Sequence, residues 1–303
     1  MKQAFEQALR VLPPKLQKRY LEALSEIQRE RCEELRLRAG GRPAFLLQNG
    51  DCRFLAGEPV TAEDLQQVLA IASGYSVHTY QKQIASGFLP LEGGHRLGVC
   101  GEAVMEQGEI LSFTALSSLN LRIAHQIKGI GAELAGRLFQ NGRFLSTLIV
   151  SPPGYGKTTL LRDLVECLSD GEAGGPLRIS LVDERGEIAA SHGGTPQYTI
   201  GRSTDVLTGC SKAKGIELMT RSMGPQIIAL DEITSLEDCR AISEASYCGC
   251  AFLATAHAAE AADLKRRPIY RRLLEDAVFQ KIIVIRRTNG QRSYSVEDWG
   301  ENI

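Results

Sequence analysis

A glycine-rich segment at residues 151–159 carries the side chains in this chain that are best suited to chemistry. It reads Ser-Pro-Pro-Gly-Tyr-Gly-Lys-Thr-Thr and follows an apolar run at residues 144–150. Glycines allow backbone N–H groups to close around phosphate oxygens, a lysine reaches the β- and γ-phosphates, and the next hydroxyl can ligate Mg²⁺. The spacing therefore predicts a nucleoside-triphosphate site in which Lys157 binds phosphate and Thr158 binds the metal.

The segment departs from the consensus G-x-x-x-x-G-K-[ST] at its first position, where Ser151 replaces glycine. Because serine is small, we expect the loop to keep its conformation. We expect ATP and Mg²⁺ as cofactors. The predicted nucleotide contacts are Ser151, Pro152, Pro153, Gly154, Tyr155, Gly156, Lys157, Thr158 and Thr159.

An apolar run at residues 227–230 ends in the carboxylates Asp231 and Glu232. In open α/β sheets, ligands bind along the edge formed by the carboxyl ends of the strands. We therefore expect Asp231 to meet the Mg²⁺ that Thr158 holds, and Glu232 to orient or deprotonate the attacking water.

A second apolar run, at residues 179–182, ends in the same way and provides further acidic candidates. Asp183, Glu184 or Glu187 is expected to serve the site, and we assign a catalytic role to Glu184. One strand ending in an acid is a weak signal, whereas two in one domain with a phosphate loop are a stronger one. Which acidic residue is the base stays open at this level.

His257 lies at the end of the next apolar run, residues 252–256. A lone histidine is more often a structural hydrogen-bonding group than a sensor. Here it is expected to share an edge of the sheet with Asp231, which favours a catalytic role in sensing the γ-phosphate.

The elements that must position these residues follow from the periodicity of the apolar positions. In the second half of the chain, strand and helix patterns alternate, which predicts a parallel sheet with helices on both faces. We predict an α/β fold with a RecA-like P-loop NTPase core and a mainly parallel sheet. Predicted strands lie near 144–150, 178–184, 226–231, 251–255 and 281–286, and predicted helices near 157–168, 211–222, 236–248 and 260–276. The Gly-, Ser- and Thr-rich residues 191–208 are predicted to form a mobile loop near the nucleotide.

The first half predicts a smaller α+β domain, and glycines near residues 129–142 indicate the junction. We place the domains at residues 1–135 and 136–303. Helical spacing covers residues 2–31 with a break at Pro13-Pro14, and Thr61 with Asp64 is typical of a capping box before a helix to about Ala72. Predicted strands follow at 33–38, 44–47, 52–54, 87–91, 96–105 and 110–123.

Composition narrows the function classes. The 303 residues carry a formal net charge of −1, so we expect no general attraction to nucleic acid or to anionic membranes. The eight cysteines lack the paired spacing of a metal site, and we interpret them as reduced thiols of a cytoplasmic protein. No apolar run approaches the length needed to span a bilayer, and residues 1–10 do not resemble a signal peptide.

The order of the motifs resembles that of the secretion-superfamily ATPases, the hexameric motors of type II and type IV secretion and of pilus systems. In that family the four segments are the Walker A motif, the Asp box, the Walker B motif and the His box. Residues 182–187 lie where the Asp box lies, and His257 matches the His box. Thr234 replaces the arginine of the family's Glu-Ile-Arg-Asp stretch, so no role of that arginine is carried over.

A closer resemblance, over nearly the whole chain, is to the stage III sporulation AA family of endospore-forming bacteria. It rests on residues 33–43, 151–159, 182–188 and 223–226. The resemblance implies a cytoplasmic ATPase on the mother-cell side that docks on integral membrane proteins of a channel complex. It also implies a homo-hexamer in which arginines enter each nucleotide site from a neighbour, and Arg96 and Arg122 are our candidates for them.

Two alternatives stay open. The first is a nucleic-acid-dependent RecA-like ATPase, which the near-neutral charge and the low aromatic content argue against. The second is a scaffold that binds nucleotide as a conformational latch with little turnover. Stimulation of hydrolysis by single-stranded nucleic acid would favour the first, and negligible hydrolysis would favour the second.

Overall fold

The fold is described from a computed structural model, which describes residues 2–85, 87–288 and 291–299. The chain divides into two compact units. One comprises residues 1–125 with residues 192–197, and the other comprises residues 126–191 with residues 198–303. The domain boundary between residues 135 and 136 stays a prediction.

The N-terminal unit is an antiparallel sheet packed against helices. Its strands lie in the order β3-β2-β1-β6-β5-β4. The helices are α1 (Lys2–Leu9), α2 (Pro14–Ala23), α3 (Glu26–Glu30), α4 (Ala62–Ala72) and α5 (Gln81–Ala85). The strands are β1 (Cys32–Arg38), β2 (Ala44–Leu47), β3 (Cys52–Phe54), β4 (Phe88–Pro90), β5 (Arg96–Glu106) and β6 (Glu109–Arg122). One apolar core joins them, and Tyr20, Phe5 and Leu35 are fully buried in it.

Local capping explains one correction in this unit. The helical pattern at residues 15–31 is two helices, because Ser25 accepts the backbone N–H of Gln28 and the Gln28 side chain accepts the N–H of Ser25. This capping box begins a new helix within the apolar pattern. The capping box of Thr61 and Asp64 is confirmed at the start of α4.

The C-terminal unit alternates strands with helices. Its helices are α6 (Ile130–Ala135), α7 (Lys157–Asp170), α8 (Lys212–Ser222), α9 (Leu236–Tyr247), α10 (Ala261–Lys265) and α11 (Arg271–Glu275). Its strands are β7 (Phe139–Gln140), β8 (Arg143–Phe144), β9 (Thr147–Ser151), β10 (Ile179–Asp183), β11 (Thr204–Thr208), β12 (Ile227–Leu230), β13 (Ala251–His257), β14 (Lys281–Thr288) and β15 (Gln291–Asp298).

The large sheet of this unit has the order β11-β10-β12-β13-β9-β14-β15. The neighbours from β11 to β14 pair in parallel, and β15 returns antiparallel to β14. Apolar side chains cover both faces, since α6 and α7 pack on one side and α8 and α9 on the other. Burial on both faces explains why the central strands are continuous apolar runs. The α/β fold with a mainly parallel sheet is confirmed.

Two predicted elements of this unit were wrong. The predicted loop at residues 191–208 ends in a strand, β11, which pairs in parallel with β10 at the edge of the sheet. The predicted helix at residues 260–276 is two short helices, α10 and α11, separated by a 3₁₀ turn that begins at Pro268. Proline lacks the N–H that a continuous helix needs, and the apolar spacing conceals that break.

Within the part of the chain that the structure describes, every helix is too short or too polar to cross a bilayer.

Close packing of α6 on α7 generates a stability prediction. A Cβ at Gly131 would lie 2.9 Å from the Asp163 carbonyl carbon and from the Leu164 nitrogen, both backbone atoms. Gly131→Ala is expected to lower the free energy of unfolding by about 1–3 kcal/mol, because overpacking displaces backbone. Urea unfolding measures it.

Gly136→Ala is the matched control. Gly136 has a helical φ of −60°, and apart from its chain neighbours and the backbone of its own helix, no heavy atom of the described residues lies within 4 Å of the position of its Cβ. Alanine there is expected to leave stability unchanged or to raise it by less than about 1 kcal/mol. Equal losses in the two variants would contradict the packing argument.

Candidate active site

The glycine-rich loop connects the end of β9 to the start of α7. Gly154 has a φ of +77° and Gly156 a φ of +98°, a region that side chains with a Cβ rarely occupy. These turns bring successive backbone N–H groups to the N-terminus of α7, where the helix dipole favours an anion. Ser151 is the last residue of β9, and the other predicted contacts lie on this loop and the first turn of α7: Pro152, Pro153, Gly154, Tyr155, Gly156, Lys157, Thr158 and Thr159.

Lys157 is buried and its ammonium group is held by the loop itself. The Nζ atom donates to the carbonyl oxygens of Ser151 at 3.0 Å and Pro152 at 3.3 Å. Burial lowers the pKa of Lys157 below its ordinary value, and the negative charges of Asp231 and Glu232 oppose that shift. If a phosphate oxygen took the place of these carbonyl oxygens, the ammonium group would have an anionic partner, which favours the charged form of the lysine.

His257 connects this lysine to a carboxylate. Its Nδ1 lies 2.7 Å from the Lys157 Nζ, and its Nε2 lies 2.9 Å from the Glu232 Oε1. An ammonium group has only protons to offer, so Nδ1 accepts and the ring proton lies on Nε2, which donates to Glu232. The histidine thereby holds the Glu232 side chain at a set distance from Lys157.

The sheet order explains this meeting. Because β13 lies between β9 and β12, His257 is the register partner of Ser151 and stands between the loop and Asp231. The three residues predicted for one edge, Lys157, Asp231 and His257, do come together there.

Asp231 joins the loop to the neighbouring strands. Its Oδ2 accepts the Thr158 hydroxyl at 2.8 Å, and its Oδ1 accepts the Thr255 hydroxyl at 2.5 Å. A hydroxyl and a carboxylate are hard oxygen ligands, and Mg²⁺ in phosphate sites typically takes one or two protein oxygens and completes its shell with water and phosphate. Thr158 and Asp231 therefore fit a magnesium ion. Among the described residues no group of three His, Cys, Asp or Glu side chains is close enough to form a metal centre of another kind.

Glu232 has an unusual backbone. Its φ is +26°, which is strained for a residue with a Cβ. Hydrogen bonds hold it there: its N–H donates to the Asp231 Oδ1 at 3.0 Å and to the Thr255 hydroxyl at 2.9 Å, and the next N–H, of Ile233, donates to the Thr255 carbonyl at 2.9 Å. With the backbone held in this way, the Glu232 carboxylate lies 2.9 Å from the His257 Nε2.

Acidic residues that follow β10 lie at the same edge of the sheet. Glu184 and Glu187 line a cavity of about 30 Å³ together with Lys212, Asp231, Glu232 and Thr234. The Glu184 carboxylate accepts from the Lys212 ammonium at 2.5 Å, and Asp238 lies 3.8 Å from the same ammonium. The predicted catalytic Glu184 is thus at the site and is ion-paired.

Asp183 lines the same cavity, but its side chain is engaged with the backbone. Its buried carboxylate accepts the backbone N–H groups of Glu187, Ile188 and Ala189 at 2.8–3.2 Å. Four such bonds satisfy the carboxylate fully, and they fix the turn that follows β10.

Three side chains that the motifs did not single out also shape the site: Thr255, Lys212 and Arg162. Arg162 donates to the carbonyls of Ile188 and Glu187, and its guanidinium lies 3.9 Å from the centre of the Tyr198 ring. One available signal was spacing, because Arg162 is four residues after Thr158 on α7 and so lies on the same helix face.

Arg96 and Arg122 belong to the N-terminal unit, where they are register partners on β5 and β6. Arg96 lies over the Phe88 ring at 5.2 Å, and the Arg122 Nε lies 3.7 Å from a Glu34 oxygen. Register partners of an antiparallel pair share a face, and Glu34, the partner of Arg122 on β1, places a carboxylate on the same face.

The position of Thr255 generates a prediction. Thr255→Val keeps the shape of this fully buried side chain but removes the hydroxyl that Asp231 and Glu232 both use. We expect a loss of about 1–3 kcal/mol in the free energy of unfolding, because the half-buried Asp231 carboxylate loses one of its donors and the Glu232 N–H loses one of its acceptors. Urea unfolding measures it.

Thr255→Ser retains the hydroxyl and loses only a methyl group. This variant is expected to lower the free energy of unfolding by no more than about 1.5 kcal/mol. If serine proves as destabilising as valine, the hydroxyl is not the important atom.

Comparison with known proteins gives the family. The family model described as "Sporulation stage III, protein AA" matches residues 2–295. The stage III sporulation protein AA of Bacillus subtilis (strain 168) is 39% identical over 277 residues, which covers 90% of this chain and 89% of that protein.

Solved structures of low sequence identity share the fold. The Legionella pneumophila ATPase DotB has a TM-score of 0.57 and 15% identity, covering 93% of this chain and 80% of its own. The pilus retraction motor PilT, solved with bound ADP, has a TM-score of 0.61 and 16% identity, covering 90% of this chain and 82% of its own. The chain therefore shares its fold with DotB and PilT, and it belongs to the stage III sporulation protein AA family.

Proposed function

We propose that this protein hydrolyses ATP with Mg²⁺, and that hydrolysis drives conformational work in a membrane-associated, secretion-like channel complex during endospore formation. The observation that carries the proposal is the continuous set of contacts at one edge of the sheet. Thr158 bonds Asp231, and Lys157 bonds His257, which bonds Glu232. The residues proposed to bind phosphate, metal and water therefore belong to one connected network of hydrogen bonds.

In this proposal the loop binds the triphosphate through its backbone N–H groups. Lys157 exchanges its bonds to the Ser151 and Pro152 carbonyls for phosphate oxygens. When bound, Mg²⁺ neutralises charge that develops on the phosphoryl oxygens, and Thr158 and Asp231 would hold it.

Glu232 orients the attacking water and accepts its proton. The strained backbone and the bond to His257 restrict the Glu232 side chain, so positioning is achieved before the nucleotide arrives. Displacement of Lys157 towards phosphate changes its bond to His257, and through it the bond to Glu232. His257 would thereby report the γ-phosphate to the base.

The biological setting is proposed from the family and from the fold. Membership of a sporulation family and the fold of the secretion ATPases support a role in a channel complex. We propose a cytoplasmic homo-hexamer, on the mother-cell side, that reaches the membrane through integral membrane partners. Arg96 and Arg122 would enter the nucleotide site of a neighbouring subunit.

Hydrolysis by the purified full chain tests the activity. Glu232→Gln is expected to lower kcat by about 10²–10⁴-fold, because the water loses its base. Lys157→Ala is expected to lower kcat/KM by about 10²–10³-fold, because charge on the phosphates loses its partner. Glu244→Gln, an exposed glutamate of α9, is the matched control and should leave both constants unchanged.

Phosphate release is measured with Mg²⁺, with EDTA, and with single-stranded DNA or RNA. EDTA should abolish release, and excess Mg²⁺ should restore it. Wild-type turnover no faster than that of both active-site variants, even with membrane partners present, would show a nucleotide-binding scaffold. Turnover that depends on nucleic acid would show the other alternative.

Mixing inactive variants tests the arginines. If Arg122 acts across an interface, Arg122→Ala subunits keep an intact Lys157 that a neighbouring Lys157→Ala subunit can complete with its own Arg122. We therefore expect a mixture of the two to hydrolyse ATP several-fold faster than either alone, and likewise for Arg96.

The double variant Lys157→Ala/Arg122→Ala provides the control, since mixing it with either single variant leaves no complete site. Restoration of ATP hydrolysis in a mixture that contains the double variant would contradict the interfacial role. Failure of assembled subunits to regain hydrolysis in any mixture would contradict it as well.

A further inference from the structure

The hairpin of β14 and β15 extends beyond the strand that carries the phosphate loop. In the pairing of β14 with β9, Val284 is the partner of Val150, one residue before β9 ends at Ser151. β14 continues to Thr288, so its last residues extend past the carboxyl end of β9. Arg292 of β15 pairs with Arg287 in this overhanging part.

The overhang brings Arg292 onto the loop. A Cβ built at Gly156 would lie 3.2 Å from the Arg292 Cζ and 3.5 Å from its Nε and Nη1. Gly156 immediately precedes Lys157, and its N–H belongs to the series that surrounds phosphate. A guanidinium group in contact with this glycine is therefore within reach of a bound nucleotide.

The charge of Arg292 lacks a counter-ion among the described residues. Arg286, on the other face of the hairpin, is paired: it donates to the Ser295 hydroxyl at 2.7 Å and lies 3.5 Å from Glu297. Within residues 2–85, 87–288 and 291–299, neither Arg287 nor Arg292 forms an ion pair. Like charges directly opposite in a sheet repel each other. An anion bound between these two arginines and the loop would relieve that repulsion.

We propose that Arg292 binds a phosphate group of the nucleotide held by the loop of the same subunit, so that the C-terminal hairpin is part of the nucleotide site. A guanidinium offers a planar pair of donors that matches phosphate oxygens. Gly156 has no side chain that would separate the Arg292 guanidinium from a bound phosphate. This inference rests on the proposed nucleotide site, but it does not require turnover.

Binding of ADP and of CDP to the full chain, measured by calorimetry with Mg²⁺, tests the inference. Arg292→Ala is expected to raise the Kd of both by about tenfold, which corresponds to one lost charge-assisted contact. Arg292→Lys keeps the charge without the fork and should raise it by about threefold. Arg286→Ala is the matched control on the opposite face and should stay within about twofold of wild type.

The outcomes separate the two proposals. Equal Kd values for wild type and Arg292→Ala would overturn this inference and leave the nucleotide site in place. A loss confined to ADP would show a base contact and overturn the phosphate assignment, and an equal loss in Arg286→Ala would show a general charge effect. A wild type that binds ADP without hydrolysing ATP would overturn the ATPase alone, whereas one that binds neither nucleotide would overturn both.

A folding check accompanies the binding. Without nucleotide, Arg292→Ala should unfold at the temperature of wild type or slightly above it, because the side chain is exposed and its loss removes the repulsion with Arg287. If alanine lowers that temperature, Arg292→Gln keeps most of the side chain's length, and the same tenfold loss is expected of it.

Discussion

The position of β13 between β9 and β12 is the constraint on which the site depends. β9 leads into the phosphate loop, and β12 leads into Asp231 and Glu232. The intervening strand supplies Thr255 and His257, which link the two sides through hydrogen bonds. A sheet in which β9 and β12 were direct neighbours would have no place for either link.

Electrostatics make the arrangement responsive to an anion. Among the described residues, the buried Lys157 bonds directly to neutral carbonyls and one histidine, and burial disfavours its charged form. Arrival of phosphate would remove that penalty, so part of the binding free energy comes from relief of a cost built into the fold. The strained Glu232 is held by two hydrogen bonds that involve Asp231 and Thr255, so strain and charge belong to the same network.

Much of the fold was predictable because its signals are local. The phosphate loop needs glycine where φ is positive, and Gly154 and Gly156 stand at those positions. Continuous apolar runs identified the buried parallel strands. The errors arose where a local feature competed with the pattern: the capping box at Ser25 divided a helix, and Pro268 divided another. The strand β11 was missed because it is a partly exposed edge strand that alternates polar and apolar residues and has no continuous apolar run.

The sequence by itself determined the residue types that can bind phosphate and metal, the α/β class and the family resemblance, because those depend on order and spacing along the chain. Only the tertiary structure decided how the residues divide their work. Asp183 and Glu184 are adjacent carboxylates that line the same cavity, yet one accepts backbone N–H groups and the other pairs with Lys212. Arg292 reaches Gly156 from 136 residues away only through the register of β14 on β9. Hydrogen bonds and charge act over a few ångströms in space, and distance along the chain does not reveal which groups meet.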